Sequence, residues 1–190
     1  MIESNRGNLQ TLIRSLDDAV RLADIPSITR KIKQDLETMI GGGQLELPDA
    51  ICRPGISCYS RRLLHSNPEL GYTVVVMAWG PGQKTQLHDH SGIWCVECVV
   101  EGNIDVCQYE LQEVNNGRYR FDRRGEVRTG VGDAGCLIPP FEYHTLGNPL
   151  PDTRSVTLHV YGGEMDCCCL YVPQDSDWWV QQHRRLNYEN

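Results

Sequence analysis

From residue 56 onward, apolar residues come in short, β-branched runs, each stopped by Gly, Pro or Asn. Nothing helical separates these runs, so the strands must bury their apolar faces against one another, as a sandwich or a barrel. The run Tyr72–Trp79 (YTVVVMAW) reads as a buried strand ended by Gly80-Pro81-Gly82. Segments 94–100 and 104–111 predict a hairpin around Glu101-Gly102-Asn103. Asn115-Asn116-Gly117 is a strong turn signal before a strand at 118–122. Segments 127–131, 135–138, 155–161 and 170–173 complete the set. The tail, with Trp178 and Trp179, is expected to fold back onto the body and pack.

The first forty residues carry a different period. Leu9, Leu12, Ile13, Leu16, Ala19, Val20 and Ala23 recur at three- and four-residue spacing, which makes one apolar helix face. Pro26 and Ser27 suit a second start, Ile28, Ile32, Leu36 and Ile40 continue on one face, and Gly41-Gly42-Gly43 stops it. Neither helix can bury its stripe alone. The expected organisation is therefore a helical segment, 1–45, packed on an all-β domain, 46–190, that includes the tail.

The chain has 25 acidic and 18 basic residues, a net charge of −7. That balance argues against nucleic acid or anionic lipid as the main partner. No stretch approaches the roughly 20 apolar residues of a membrane helix, and MIESNRGNLQ has no apolar run to serve as a signal peptide. The expected location is the cytoplasm, where nine cysteines, an odd number, stay reduced and mostly serve as small core residues. Cys95-Val-Glu-Cys98 resembles a metal or redox pair, but residues three apart on a strand face opposite sides. Cys167-Cys168-Cys169 offers only packing on the same argument.

His88-Asp89-His90 is the chemical signal. On an extended segment, side chains two apart share a face, so both imidazoles can reach one metal while Asp89 points away. His144 and His159 fall in or near later strands, where a sheet could bring either to the pair. The plain alternative is a set of surface or core histidines.

The spacing around the pair resembles the cupin superfamily. Gly82, five residues, His88-x-His90 and then Gly102 fit its first motif, and Pro139, His144 and Asn148 fit its second. Phe141 replaces that motif's glycine, and the leading glycine is displaced to Gly132. The resemblance implies a cupin double-stranded β-helix, a small barrel or jelly roll, with metal ligands His88, His90 and His144. Most cupins add a glutamate where this chain has Cys95, and Glu97 lies out of register with that slot.

The combination resembles the cysteine dioxygenase family of thiol dioxygenases, bacterial type. Tyr59-Ser60-Arg61 is similar to its Tyr-x-Arg motif, and Thr157-Leu158-His159-Val160-Tyr161 to its Ser-x-His-x-Tyr strand. Trp79-Gly80-Pro81-Gly82 resembles its approach to the His-Asp-His segment. The resemblance covers about residues 50 to 172. It implies Fe(2+) held by three histidines, a carboxylate held by Arg61 near Tyr59, and a relay in which Thr157 orients His159 and His159 positions the Tyr161 hydroxyl. Arg62 would face outward. Animal members cross-link the cysteine at the Cys95 position to the tyrosine through a thioether. Bacterial relatives often lack the bond, and the unlinked pair is favoured here. Gly162-Gly163 stands where animal members have Ser-Pro.

The implied reaction adds both atoms of O2 to the sulfur of L-cysteine, giving cysteine sulfinic acid, and the partners are the thiol and O2 alone. The nearest alternative is 3-mercaptopropionate or a related thiol acid. That relative typically has Gln in place of Arg61 and an arginine soon after the Tyr-Gly segment. No arginine lies between residues 162 and 180, which favours cysteine. Lower-ranked readings are a non-catalytic cupin that binds a small acid and a three-histidine zinc hydrolase-like site. A monomer or weak homo-oligomer is expected.

Overall fold

A computed structural model describes residues 2–175 and 177–189, with side chains from residue 8. Two helices, α1 (Ile2–Ala19) and α2 (Ile25–Gly41), precede eleven strands. These are β1 (Ser60–Asn67), β2 (Tyr72–Trp79), β3 (Leu87–His88), β4 (Cys95–Glu101), β5 (Ile104–Asn115) and β6 (Arg118–Thr129). β7 (Ala134–Leu137), β8 (His144–Gly147), β9 (Ser155–Tyr161), β10 (Cys167–Pro173) and β11 (Trp179–Arg185) follow. One antiparallel sheet runs β1-β2-β9-β4-β7. The other six strands close a ring of pairings, β10-β11-β6-β5-β8-β3. This is the all-β cupin double-stranded β-helix with two N-terminal helices.

β2 and β9 are buried along their whole length because alternate side chains point to two faces and both faces are covered. Tyr72 and Val74 of β2 meet Leu12, Leu16, Ile32 and Leu36 of the helices. Val75, Met77 and Trp79 face the barrel interior with Cys95 and Tyr161. The helices therefore cover the outer face of the five-stranded sheet and leave its inner face to line the site. Cys95 and Cys98 of β4 fall into these two different clusters, as their spacing requires.

Two sequence expectations are corrected. Segments 94–100 and 104–111 do not pair. β4 lies in the five-stranded sheet, between β9 and β7, and β5 lies in the ring, between β6 and β8. The turn between them is a corner from sheet to sheet. Gly102 sits there at φ 73°, and a Cβ on it would come within 2.6 Å of the Ser155 hydroxyl. Segments 118–122 and 127–131 are largely one long strand, β6, paired with β5 through the Asn116-Gly117 turn. The tail packs as expected, but as a strand, with Trp179 opposite both Tyr119 and Pro173.

The helix-to-sheet joint is tight at one point. Gly132 has φ 88°, and a Cβ there would stand 2.8 Å from the Gly41 Cα at the end of α2. Gly132→Ala meets both a left-handed backbone and a backbone clash, so it is expected to cost about 1–3 kcal/mol. Gly43→Ala, at φ 66° with nothing within 4 Å, meets only the first. Urea midpoints should fall further for the former.

Candidate metal centre

The ring sheet assembles three histidines from two short strands. His88 ends β3, His144 opens β8, and the two are directly paired across the ladder. His90 follows His88 on the same face. The ring centroids of His88, His90 and His144 lie 4.5–5.5 Å apart, and one ligating atom from each falls within 4.8 Å of the others. Backbone carbonyls set the tautomers. His88 Nδ1 bonds the Gln86 carbonyl at 3.0 Å and His144 Nδ1 bonds the Glu142 carbonyl at 2.8 Å. With Nδ1 donating, Nε2 carries a lone pair, the form in which imidazole ligates. His144 Nε2 is buried with no partner among the described residues. Burial holds all three imidazoles below their ordinary pKa, so they are neutral. An orphaned nitrogen inside three converging neutral imidazoles fits a metal ion.

Asp89 points away from the pair, as its spacing predicts, and anchors it. Oδ1 accepts from the backbone N–H groups of Ser91 and Cys169, and Oδ2 accepts from the Tyr171 hydroxyl at 2.9 Å. This ties the ligand loop to β10. Asn148 does the same at the other end. Its amide donates to the carbonyls of Trp79, Gly80 and Thr153, and its oxygen accepts from Leu150 N–H and the Ser155 hydroxyl.

A cavity of about 180 Å³ opens beside the histidines, with Arg61 in its wall. Arg61 is 6% exposed. Its Nη2 donates to the Met165 carbonyl at 3.0 Å, and its guanidinium lies over the Tyr188 ring, 5.3 Å from the centroid. Nη1 is buried with no partner among the described residues. Arg62 turns the other way, to the carbonyls of Ile51 and Arg53 and to Glu189. Tyr59 also lines the cavity and stacks on Trp79, with centroids 4.5 Å apart.

Thr157, His159 and Tyr161 share the inner face of β9. The Trp79 indole N–H donates to Thr157 Oγ1 at 2.9 Å, leaving the hydroxyl proton for His159 Nε2 at 2.8 Å. His159 then carries its proton on Nδ1, which faces Cys95 Sγ at 3.9 Å and Glu97 Oε2 at 3.6 Å. Burial lowers its pKa to about 3. The His159 and Tyr161 rings stack at 11°, with centroids 5.9 Å apart, and no hydrogen bond joins them among the described residues. Side chains two apart on one strand run parallel, so the rings lie face to face. Tyr161 instead lies opposite Cys95 across the β4–β9 ladder, in the same inner cluster. Burial raises both pKa values, so thiol and phenol keep their protons.

Four residues of this region escape a reading by motif. Glu97 is out of register with the cupin glutamate but keeps the inner face of Cys95 by the period of two. Its Oε2 lies 3.8 Å from His144 Nε2, and burial raises its pKa to about 8. Tyr188 and Arg184 reach the Arg61 region only through β11 and the chain after it. Trp94 explains Gly162, because a Cβ on Gly162 would lie 2.2 Å from the indole nitrogen. The indole occupies the space that a side chain at 162 needs.

A sequence model of the family described as "Cysteine dioxygenase type I" matches residues 56–173. The chain belongs to that family. Similar solved structures include TT1209 from Thermus thermophilus, 17% identical over 62% of this chain and 94% of that one, with a TM-score of 0.46. A conserved protein with a double-stranded β-helix domain from Klebsiella pneumoniae is 21% identical over 60% and 79%, also at 0.46. KdgF from Halomonas sp. is 19% identical over 60% and 88%, at 0.45. No helix among the described residues is long and apolar enough to cross a membrane.

The buried groups fix a pH dependence. The folded chain keeps His88, His90, His144 and His159 unprotonated below 6.5, where the unfolded chain takes up protons. Their contribution is complete above 6.5 and is lost as pH falls. Glu97, raised to about 8, and Glu142, raised to about 7, run the other way. Their contribution is lost as pH rises from 4.5. Four histidines outweigh two glutamates below 6.5, and only the glutamates act above it. Urea midpoints of the metal-free protein are expected to peak near pH 6.5 and fall on both sides.

Proposed function

We propose that the chain is an iron(II)-dependent thiol dioxygenase that adds both atoms of O2 to the sulfur of a small thiol acid, L-cysteine by the family resemblance, to give a sulfinic acid. The observation that carries this is the pairing of a three-histidine centre with an unsatisfied, buried arginine across one small cavity. His88, His90 and His144 would hold the metal, and the iron would supply positions at which a thiolate and O2 meet. Arg61 binds the substrate carboxylate through its free Nη1. The Met165 carbonyl and the Tyr188 ring hold the guanidinium, so the carboxylate sets the orientation of the thiol end. Tyr59, stacked on Trp79, closes the wall behind Arg61. The Trp79–Thr157–His159 chain fixes the His159 ring. Tyr161, kept protonated by burial, presents a hydroxyl donor beside His90, their rings edge to face at 5.6 Å. Met77, Leu146 and Leu170 keep the cavity apolar and exclude water.

A second substrate reading has its own observation. The cavity wall carries no carboxylate to meet an ammonium group, which suits 3-mercaptopropionate as well as cysteine. Oxygen uptake with each thiol decides between them, and faster turnover of 3-mercaptopropionate would overturn cysteine. In either case Arg61→Ala should lower kcat/KM about 100-fold through KM, the scale of losing a buried charge-assisted pair. An unchanged KM would remove Arg61 from this role. Metal analysis of anaerobically purified protein should give iron, and zinc would support the hydrolase-like reading.

Cys95 and Tyr161 are proposed to stay an unlinked thiol–phenol pair. Intact mass after reduction should equal the sequence mass, and a deficit of two hydrogens would show the thioether.

A further inference from the structure

The cavity beside the three neutral histidines is walled by three cations, Arg61, Lys84 and Arg184, and by no aspartate or glutamate. On a chain of net charge −7 this is a local inversion of sign. Arg184 arrives on β11 as the ladder partner of Cys168, which also faces the cavity. Arg184 and Arg61 both line this cavity and the hollow that adjoins it, with Tyr59 in the wall of each.

Several other arginines are tied to acids. Arg120 pairs with Glu113, Arg128 with Asp105, and Arg154 with Asp49 and Glu101. Arg184 and Lys84 have no such partner among the described residues. Glu189, which lines the adjoining hollow, is taken by Arg62. One substrate carboxylate uses Arg61 alone, so the cationic rim is left without an anion. An exposed arginine offers a planar fork that grips a carboxylate by two parallel hydrogen bonds, which lysine cannot do.

We propose that the pocket selects thiol acids bearing a second anionic group, and that Arg184 receives that group. This rests on the thiol dioxygenase reading and narrows its small thiol acid to this class, ahead of L-cysteine. The reaction stays balanced without another reactant: R–SH and O2 give R–SO2H, with sulfur losing four electrons and O2 gaining them.

The probe pair is mercaptosuccinate and 3-mercaptopropionate, which differ by one carboxylate on the carbon that bears sulfur. Oxygen uptake should show a kcat/KM ratio favouring mercaptosuccinate by about fivefold or more, the scale of one charge pair. The ratio should shrink as salt is raised, collapse toward one in Arg184→Gln, and invert in Arg184→Glu. A wild-type ratio of one or below, or a ratio that survives Arg184→Gln, overturns this inference while thiol oxygenation stands. No oxygen uptake with any thiol overturns the dioxygenase reading, and this inference with it.

Discussion

Three imidazoles whose ligating atoms lie within 4.8 Å of one another can share that space only while all are neutral. Two charged rings at such a distance, out of water, would repel and be poorly solvated. For His88 and His144 the structure meets this constraint with backbone carbonyls. The carbonyls of Gln86 and Glu142 claim the Nδ1 protons, and Asp89 and Asn148 pin the segments that carry those carbonyls. Everything that faces the centre follows the same rule. Cys95, Tyr161 and Glu97 are each pushed by burial toward the neutral form. The one permanent charge deep in the wall is Arg61, and its Nη1 has no hydrogen-bond partner among the described residues.

How much of this was legible depended on which forces leave a local trace. β2 was readable residue for residue because burial on both faces makes a nearly unbroken apolar run, and β9 because Val156, Leu158 and Val160 alternate with Ser155, Thr157, His159 and Tyr161. β1, with sequence SRRLLHSN, and β11, with WVQQHRR, are polar pieces held by long-range ladders, and no periodicity marks them. The supposed hairpin at Gly102 shows the same limit. Two apolar runs around a glycine turn look alike whether the strands pair or part at a corner. Only the Ser155 hydroxyl pressed against Gly102, from fifty residues away in the chain, distinguishes the corner.

The centre was legible where spacing carries it. His88 and His90 share a face by period, and His144 was found only through the second motif. Arg184 and Tyr188 could not have been found, since their approach to Arg61 depends on how β11 closes the ring. Glu97 could have been, because two residues from Cys95 on one strand means the same face. The cysteines on strands divide by that alternation as well. Cys95 and Cys168 face the inner core, Cys98 the helices, and Cys169 an aromatic cluster with Phe121 and Tyr171.

Tyr188 lies on Arg61 from nearly the other end of the described chain. As the chain is synthesised, the histidines and Arg61 emerge long before the ring that braces the guanidinium. Until β11 docks, the arginine has neither its aromatic floor nor its closed wall. The histidine segment, tied to β10 through Asp89, and the brace on Arg61 both wait on the last strands, so the pocket takes its final form only when the ring closes.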